Sequence, residues 1–277
     1  MGVKWPDGKK IAVSISFDVD AESAFVLDEN NHKRLSLLST GAYGRRVGIP
    51  RILRLLDKHG VTANFFVPGY TAEIDPGLIE TIARHGHNIG CHGYYHERTD
   101  TLTADQENEI LIKSKRILQD ITGVVPTAFR APLWEVTPQT LELLVQHGFE
   151  TDSSLMGSDI PYVLQVGSER LLEIPVTWLL DDWEQFAYHA EPANGYVIEE
   201  PDKVFRMWKE EFDALYEEGR FFSLTMHPEI MGRASRMKML DRLIEYMKSQ
   251  PDVWFVTHRD LYQLWKNGQI EFEEYPY

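Results

Sequence analysis

The chain has 277 residues, of which 43% are hydrophobic and 12% aromatic, so it is long enough to bury a sizeable core. Lysine and arginine together number 28 against 43 acidic residues, and the net charge of −15 disfavours nucleic acid and anionic membranes as partners. Residues 1–10 offer no apolar signal region, no stretch approaches the roughly 20 apolar residues of a membrane span, and the single Cys91 cannot form an internal disulfide. We therefore expect a cytoplasmic protein with no nucleic-acid or membrane partner.

Short runs rich in β-branched or aromatic residues alternate with longer amphipathic segments along the chain. Such runs predict strands, and the segments between them predict helices, an alternation typical of a parallel sheet. Seven or eight strand–helix units favour a closed or nearly closed β/α barrel over an open sheet. The predicted strands are residues 11–17, 62–67, 88–91, 127–129, 150–153, 171–176, 221–226 and 253–257.

The predicted helices have recognisable start and stop signals. Histidine–glycine pairs at 59–60, 85–86 and 147–148 each end a helical pattern just before a strand. Glycine accepts the left-handed conformation that ends a helix, and a histidine there lies near the negative end of the helix dipole. Thr103, Thr137 and Pro201 stand where helices should begin. Residues 21–48, 156–170 and 181–200 fit neither pattern, and we expect them to form pocket walls or subunit contacts.

Unusual polar residues follow the carboxyl ends of the predicted strands. In a β/α barrel these ends share one face, where active sites are built, so residues far apart in sequence converge there. The pattern therefore predicts a single site at that face. Its members are Asp18 and Asp20 after the first strand, His92 and His96 after the third, Arg130 after the fourth and His227 after the seventh.

The spacing of His92 and His96 is typical of a metal site. Three intervening residues on a helix or tight turn present two imidazoles to one point, and an aspartate can supply a third ligand. Catalytic zinc sites commonly have three protein ligands and keep one position open for water, whose pKa falls to about 7. The alternative is that both are ordinary loop or helix histidines. We expect one divalent ion, with Zn²⁺ as first choice and Co²⁺, Ni²⁺ or Mn²⁺ as alternatives.

Asp18 and Asp20 stand two positions apart and follow an apolar strand. Their carboxylates should point to the same side of that strand, where they repel each other unless a cation or a proton lies between them. The conflict disappears if one carboxylate binds a metal and the other acts as a base. A solvated strand end or a helix cap is the alternative, which the apolar character of the strand disfavours.

Taken in order, these motifs resemble the polysaccharide deacetylases, the family 4 carbohydrate esterases, over residues 11–262. The resemblance implies one catalytic domain spanning residues 1–277 and built on a distorted (β/α) barrel of seven or eight parallel strands. The fourth family motif is weak, because Leu180-Asp181-Asp182-Trp183 keeps only an aspartate–tryptophan pair. The segments that carry the likeness are Ser16-Phe17-Asp18-Val19-Asp20, His92 with His96, Arg130-Ala131-Pro132-Leu133 and Leu224-Thr225-Met226-His227.

The resemblance also implies a role for each site residue. The base takes a proton from water, the arginine orients that base, a backbone N–H helps to hold the oxyanion, and a histidine protonates the leaving nitrogen. Which residue tunes the pKa of that histidine stays open. The implied set is Asp18 as base, Arg130 as the orienting residue, Leu133 as the N–H donor, His227 as acid, Asp20, His92 and His96 as metal ligands, and Trp134 and Trp183 as substrate contacts.

The substrate class stays open at this stage. The family resemblance implies a metal-dependent hydrolase of carbon–nitrogen bonds other than peptide bonds, removing N-acetyl groups from an amino sugar such as N-acetylglucosamine. Residues 5–13 also resemble a cytosolic branch that includes allantoinase-like and cyclic imide hydrolases, so ring opening of a small cyclic amide is an alternative. A catalytically inactive barrel that binds a sugar or a partner is the third, which the intact ligand set disfavours. We expect an amino-sugar or other small-molecule substrate and a homo-oligomer.

Overall fold

The computed structural model describes residues 3–188 and 197–276, so residues 189–196 of the segment 181–200 lie outside the described residues. Within the described ranges the chain forms a mixed α/β fold around one sheet. Its strands are β1 Ile11–Asp18, β2 Asn64–Val67, β3 Asn88–Cys91, β4 Ala128–Phe129, β5 Thr151–Asp152, β6 Tyr162–Val166, β7 Glu169–Glu173, β8 Phe221–Met226, β9 Val253–Phe255 and β10 Glu274–Pro276.

The strands follow the order β10-β6-β7-β5-β4-β3-β2-β1-β8, and β9 also pairs with β1. Neighbouring strands are parallel, except that β6 and β7 form an antiparallel pair. A single bridge between Asp181 and Thr225 joins the segment that follows β7 to β8. The predicted α/β fold with a distorted barrel is thereby confirmed.

The segment 156–170 is more regular than its sequence suggested. It contains β6, which the sequence analysis missed, and most of the turn into β7. Gly167 in that turn has a φ of 59°, a conformation that glycine adopts without steric cost, and it lets the chain fold back into a hairpin. Strand β10 was also missed, because its three residues carry no apolar alternation of their own and depend on pairing with β6.

Helices connect the parallel strands and cover the outside of the sheet. No helix in the described part of the chain is both long and apolar enough to cross a membrane. The helices are α1 Ser23–Val26, α2 Leu35–Tyr43, α3 Ile49–His59, α4 Gly69–Ile74, α5 Pro76–Arg84, α6 Ala104–Thr122, α7 Pro138–Gln146, α8 Trp183–Phe186, α9 Pro201–Glu218, α10 Pro228–Met231, α11 Ala234–Ser249 and α12 His258–Lys266.

The helix boundaries follow the local signals in the sequence. Thr103 and Thr137 each cap a helix through a reciprocal capping box, in which the threonine hydroxyl accepts the backbone N–H three residues later. The three predicted histidine–glycine pairs end α3, α5 and α7, and their glycines have φ values of 59°, 82° and 68°. These short turns return the chain to the sheet and keep successive strands parallel.

Strand β1 runs through the centre of the fold and is buried along its whole length. Because alternate residues of a strand face opposite sides, Val13, Ile15 and Phe17 join the main apolar core. Ser14 and Ser16 lie on the other side, where Ser14 Oγ accepts a hydrogen bond from Asn64 and Ser16 Oγ donates to the Leu224 carbonyl. This side of β1 is therefore polar from Ser14 onward, and it leads to Asp18 at the carboxyl end of the strand.

Candidate active site

A cavity of about 580 Å³ opens at the carboxyl ends of the parallel strands. Of the nine residues singled out from the sequence, eight line this cavity, and Arg130 lies fully buried directly behind it. The barrel thus brings together side chains from β1, β3, β4 and β8 that are more than 200 positions apart in sequence. The eight lining residues are Asp18, Asp20, His92, His96, Leu133, Trp134, Trp183 and His227.

Three of these side chains converge on one point. Asp20 Oδ1 lies 3.4 Å from His92 Nε2, and Asp20 Oδ2 lies 3.4 Å from His96 Nε2. One ligand atom from each residue falls within 4.8 Å of the others. Asp20 Oδ1 is nevertheless buried and has no hydrogen-bond partner among the described residues. A carboxylate that is enclosed by two imidazoles without a donor is the arrangement expected of a cation site.

The protonation states of the two histidines also suit a metal ion. His92 Nδ1 lies 2.7 Å from the Arg130 carbonyl oxygen, which can only accept, so Nδ1 carries the proton and Nε2 keeps its lone pair toward Asp20. Burial lowers the pKa of His92, and burial together with the nearby His227 lowers the pKa of His96 to about 4. Burial raises the pKa of Asp20, an effect that a divalent cation opposes. Two neutral imidazoles and one carboxylate fit zinc and similar ions.

Local backbone geometry sets the positions of these ligands. Asp20 lies just past β1, where Ser23 and Thr71 both donate hydroxyl hydrogen bonds to its carbonyl oxygen. His96 lies in an irregular loop after β3, rather than on a helix, and has a φ of 66°. Ala21, next to Asp20, has a φ of 51°. Non-glycine residues in the left-handed region are uncommon and gather at functional sites, because the surrounding fold must hold them there.

Asp18 is paired with Arg130 through one oxygen, while its other oxygen lies 3.8 Å from His92 Nε2. The Arg130 Nη1 donates to Asp18 Oδ1 at 2.8 Å and to Ser16 Oγ at 3.0 Å. Burial alone would raise the pKa of Asp18, but the charge and the hydrogen bond of Arg130, together with the charge of His227, outweigh it and lower the pKa below its usual value. The carboxylate is therefore ionised and ready to accept a proton.

His227 also lines the cavity, and it is paired with Asp182. Asp182 Oδ1 accepts the His227 backbone N–H at 3.0 Å and lies 2.8 Å from its Nδ1. Burial alone would lower the pKa of His227, but Asp181, Asp182 and Asp20 outweigh it and raise the pKa well above its usual value. The protonated Nε2 faces the cavity and lies 3.8 Å from Asp20 Oδ2. The partner of His227, which the sequence left open, is Asp182.

The turn after β4 forms the other wall of the cavity. Leu133 and Trp134 both have a φ of 55°, which turns the chain sharply over the site. Leu133 is 51% exposed and lines the cavity, whereas Trp134 is buried. Trp134 stacks on Trp178 with ring centroids 4.2 Å apart, and Trp183 packs its edge against His227. Aromatic side chains of this kind offer a large apolar surface against which a ring can pack.

Two of the segments that enclose the cavity, 21–48 and 181–200, were expected from the sequence to form pocket walls or subunit contacts, but most of their lining residues carry no motif. The segment 21–48 forms α1, α2 and the turns around them, and it covers one side of the cavity as expected for a pocket wall. Asp181 and Glu184 lie on the described part of the segment 181–200, beside Trp183. Asp181 belongs to the weak fourth motif and Glu184 follows it directly, which was the only signal available for them. From the segment 21–48, the lining residues are Ala24, Phe25, Leu27, Asn31, Arg34 and Leu37.

Comparisons with known proteins agree with this geometry. A family model described as polysaccharide deacetylase matches residues 29–151. A peptidoglycan deacetylase from Helicobacter pylori is 32% identical in an alignment that covers 91% of this chain and 95% of that protein.

Solved structures give the same result. A Mycobacterium smegmatis protein assigned to the polysaccharide deacetylases is 40% identical, with a TM-score of 0.94 over 98% of this chain and 95% of that one. The PuuE allantoinase is 26% identical, with a TM-score of 0.83 over 95% of this chain and 92% of that one. The shared architecture therefore extends to a protein named for ring opening as well as to those named for deacetylation.

Proposed function

The chain belongs to the polysaccharide deacetylase family of hydrolases, and we propose that it removes N-acetyl groups from an amino sugar such as N-acetylglucosamine with the help of one divalent metal ion. The observation that carries this proposal is that one ionised and one protonated group each lie 3.8 Å from one of the three converging ligand residues, His92 and Asp20. Asp18 provides the first and His227 the second. Hydrolysis of an amide needs both, since water must lose a proton and the leaving nitrogen must gain one.

Asp20, His92 and His96 would hold the metal ion, with Zn²⁺ as first choice and Co²⁺, Ni²⁺ or Mn²⁺ as alternatives. A divalent ion bound there would polarise the amide carbonyl and lower the pKa of an attacking water molecule. The hydrogen bond from His92 to the Arg130 carbonyl supports this assignment, because metal-binding histidines usually donate their other N–H to a fixed acceptor.

The remaining residues would divide the proton transfers between them. Asp18 accepts a proton from the attacking water, and Arg130 keeps that carboxylate ionised and aimed into the cavity. The backbone N–H of Leu133 donates to the developing oxyanion. His227 gives its proton to the leaving amine, and Asp182 stabilises the charged imidazole until that step. Trp134 and Trp183 pack against the sugar ring.

Further features of the chain remain part of the same proposal. We propose that one catalytic domain spans residues 1–277, because the site draws on strands from β1 to β8 of a single sheet. We also propose that the protein is cytoplasmic and homo-oligomeric. Exposed apolar side chains support the oligomer, since Leu27, Leu35 and Trp178 are each more than 40% exposed and Leu27 and Trp178 border the cavity. Light scattering on the purified chain tests that assignment.

Product analysis by mass spectrometry tests the substrate class. The metal-reconstituted protein is incubated with N-acetylglucosamine oligomers and with a set of cyclic amides. Loss of acetyl mass from the sugars is the expected result. Gain of one water by a ring, with the sugars unchanged, would replace deacetylation by cyclic-amide hydrolysis at the same residues. Turnover of neither panel by a metal-loaded protein would contradict both.

Two variants separate metal binding from proton donation. His92→Ala should lose metal and activity together, because it removes a ligand. His227→Ala should keep its metal and lose about 10²–10⁴-fold in kcat, the range typical of a general acid. Metal content by elemental analysis and turnover are measured on the same samples. Loss of the metal from His227→Ala would contradict the assignment of this histidine as the acid.

A further inference from the structure

Behind the cavity lies a second pair of carboxyl groups that the proposed mechanism does not use. Asp152 on β5 and Glu173 on β7 are direct neighbours in the sheet register, and both are fully buried. Neither lines the cavity. Two acidic side chains side by side in the interior of the fold are costly unless their charge is reduced or compensated.

In each of these two carboxyl groups, only one oxygen accepts hydrogen bonds from neighbouring residues. Glu173 Oε1 accepts the backbone N–H groups of Ser154 and Leu155, each at 2.9 Å. Asp152 Oδ1 accepts the Ser154 hydroxyl at 2.8 Å. Asp152 Oδ2 and Glu173 Oε2 are buried and receive no donor from any other described group. The two carboxyl groups contact each other, and burial raises the pKa of both.

The segment that this pair holds is the one that holds Arg130. Arg130 Nε donates to the Ser153 carbonyl at 3.0 Å, and its Nη2 donates to the Ser153 hydroxyl at 2.8 Å. The Ser154 hydroxyl accepts the backbone N–H of Ala131 at 2.9 Å. The remaining nitrogen of the guanidinium is the one that binds Asp18. Any shift of residues 153–154 therefore moves the arginine that orients the base.

We propose that Asp152 and Glu173 share a single proton between their facing oxygens and act as a positioning pair for Arg130, and through it for Asp18. Two carboxylates can hydrogen-bond to each other only when one of them carries a proton. One shared proton leaves one negative charge near the buried guanidinium, which offsets part of its desolvation cost. The link to Asp18 as base rests on the proposed function.

Amide substitutions test the shared proton directly. In Glu173→Gln the amide oxygen can still accept both backbone N–H groups, and its NH₂ donates to ionised Asp152. In Asp152→Asn the amide oxygen can still accept the Ser154 hydroxyl, and its NH₂ donates to ionised Glu173. In each single variant, an N–H···O hydrogen bond between the side chains of residues 152 and 173 therefore replaces the O–H···O hydrogen bond of the wild type. The double variant places two NH₂ groups face to face, or else must break the contacts to residues 154–155.

We expect each single variant to keep kcat within about threefold of the wild type, and the double variant to lose at least about tenfold in kcat with little change in KM, because buried groups are left unpaired. Metal content should be unchanged in all three. A double variant as active as the single variants would overturn the proposal, and so would single variants that are folded, metal-loaded and as inactive as the double one.

Infrared spectroscopy gives a second measurement that depends neither on turnover nor on the folding of the double variant. The wild-type protein should show the carbonyl band of a protonated, buried carboxyl group, and Glu173→Gln should lose it. Absence of any such difference would overturn the shared proton. If the chain turns over no substrate at all, the proposed function fails, while this infrared comparison still decides whether the pair shares a proton.

Discussion

Replacing Asp182 by alanine should weaken His227 as an acid without disturbing the metal ligands. Asp182 is fully buried, and one of its oxygens takes both the backbone N–H and the Nδ1 hydrogen bond of His227. A hydrogen bond to a charged group contributes about 1.5–3 kcal/mol. At 1.36 kcal/mol per pKa unit, losing the ring contact should lower the pKa of His227 by about one to two units.

The sign of the pH effect follows from the carboxylates that surround the imidazole. They raise the pKa of His227 in the folded protein, so the acid form persists to higher pH than in a free histidine. Without Asp182 the imidazole loses its proton at lower pH. The alkaline limb of the kcat profile should move to lower pH by about one to two units, so that kcat at a fixed pH on that limb falls by about tenfold to a hundredfold.

The assay combines pH profiles of kcat with titration of the histidine side chains by NMR on metal-loaded protein. Asp182→Asn separates the two effects of the carboxylate, because it keeps an acceptor for Nδ1 but removes the charge. Asp202→Asn is the matched control, since its exposed ion pair with Arg242 contributes little. An alkaline limb that stays in place while activity falls would refute the reasoning, because the loss would then not come from the acid.

Two further predictions concern the stability of the fold. A Cβ added at Gly48 would lie 2.2 Å from the Pro228 carbonyl oxygen, so Gly48→Ala should lower the free energy of unfolding by at least about 2 kcal/mol. Gly77→Ala has open space around the new methyl group and should be neutral or stabilising. Thermal unfolding of both variants checks this, and equal effects would contradict it. Burial, assisted by His85, lowers the pKa of His87 to about 4, below the 6.5 of an ordinary histidine. As the pH falls, the unfolded chain therefore binds a proton at this histidine before the folded protein does. The free energy of unfolding should then decrease as the pH drops from about 6.5 toward 4. Allowing for solvent screening, the loss is roughly 2 kcal/mol, and urea unfolding at several pH values should show a smaller loss in His87→Asn; an identical loss would rule out His87 as its source.

The sequence determined the elements whose signals are local. Threonine caps and histidine–glycine turns placed the ends of α3, α5, α6 and α7, because the capping groups lie within a few residues of the backbone they satisfy. Polar residues that directly follow a predicted strand indicated which side chains stand at the carboxyl ends of the strands. A β/α barrel brings these carboxyl ends together at one face, whatever the details of side-chain packing. That is why the sequence indicates which residues gather at the site, whereas their proposed roles come from the family resemblance.

The tertiary structure decided the partners of those residues. Asp182 pairs with His227 across 45 positions, and the segment around Ser153 holds Arg130 from a different strand, although neither relation leaves a periodic pattern in the sequence. Strands β6 and β10 likewise exist only because they pair with neighbours. A cap or a turn is satisfied within its own segment, whereas a buried charge takes its partner from whichever element the packing places beside it. The sequence therefore determined which groups carry the chemistry, and only the folded barrel decided how each one is charged, oriented and supported.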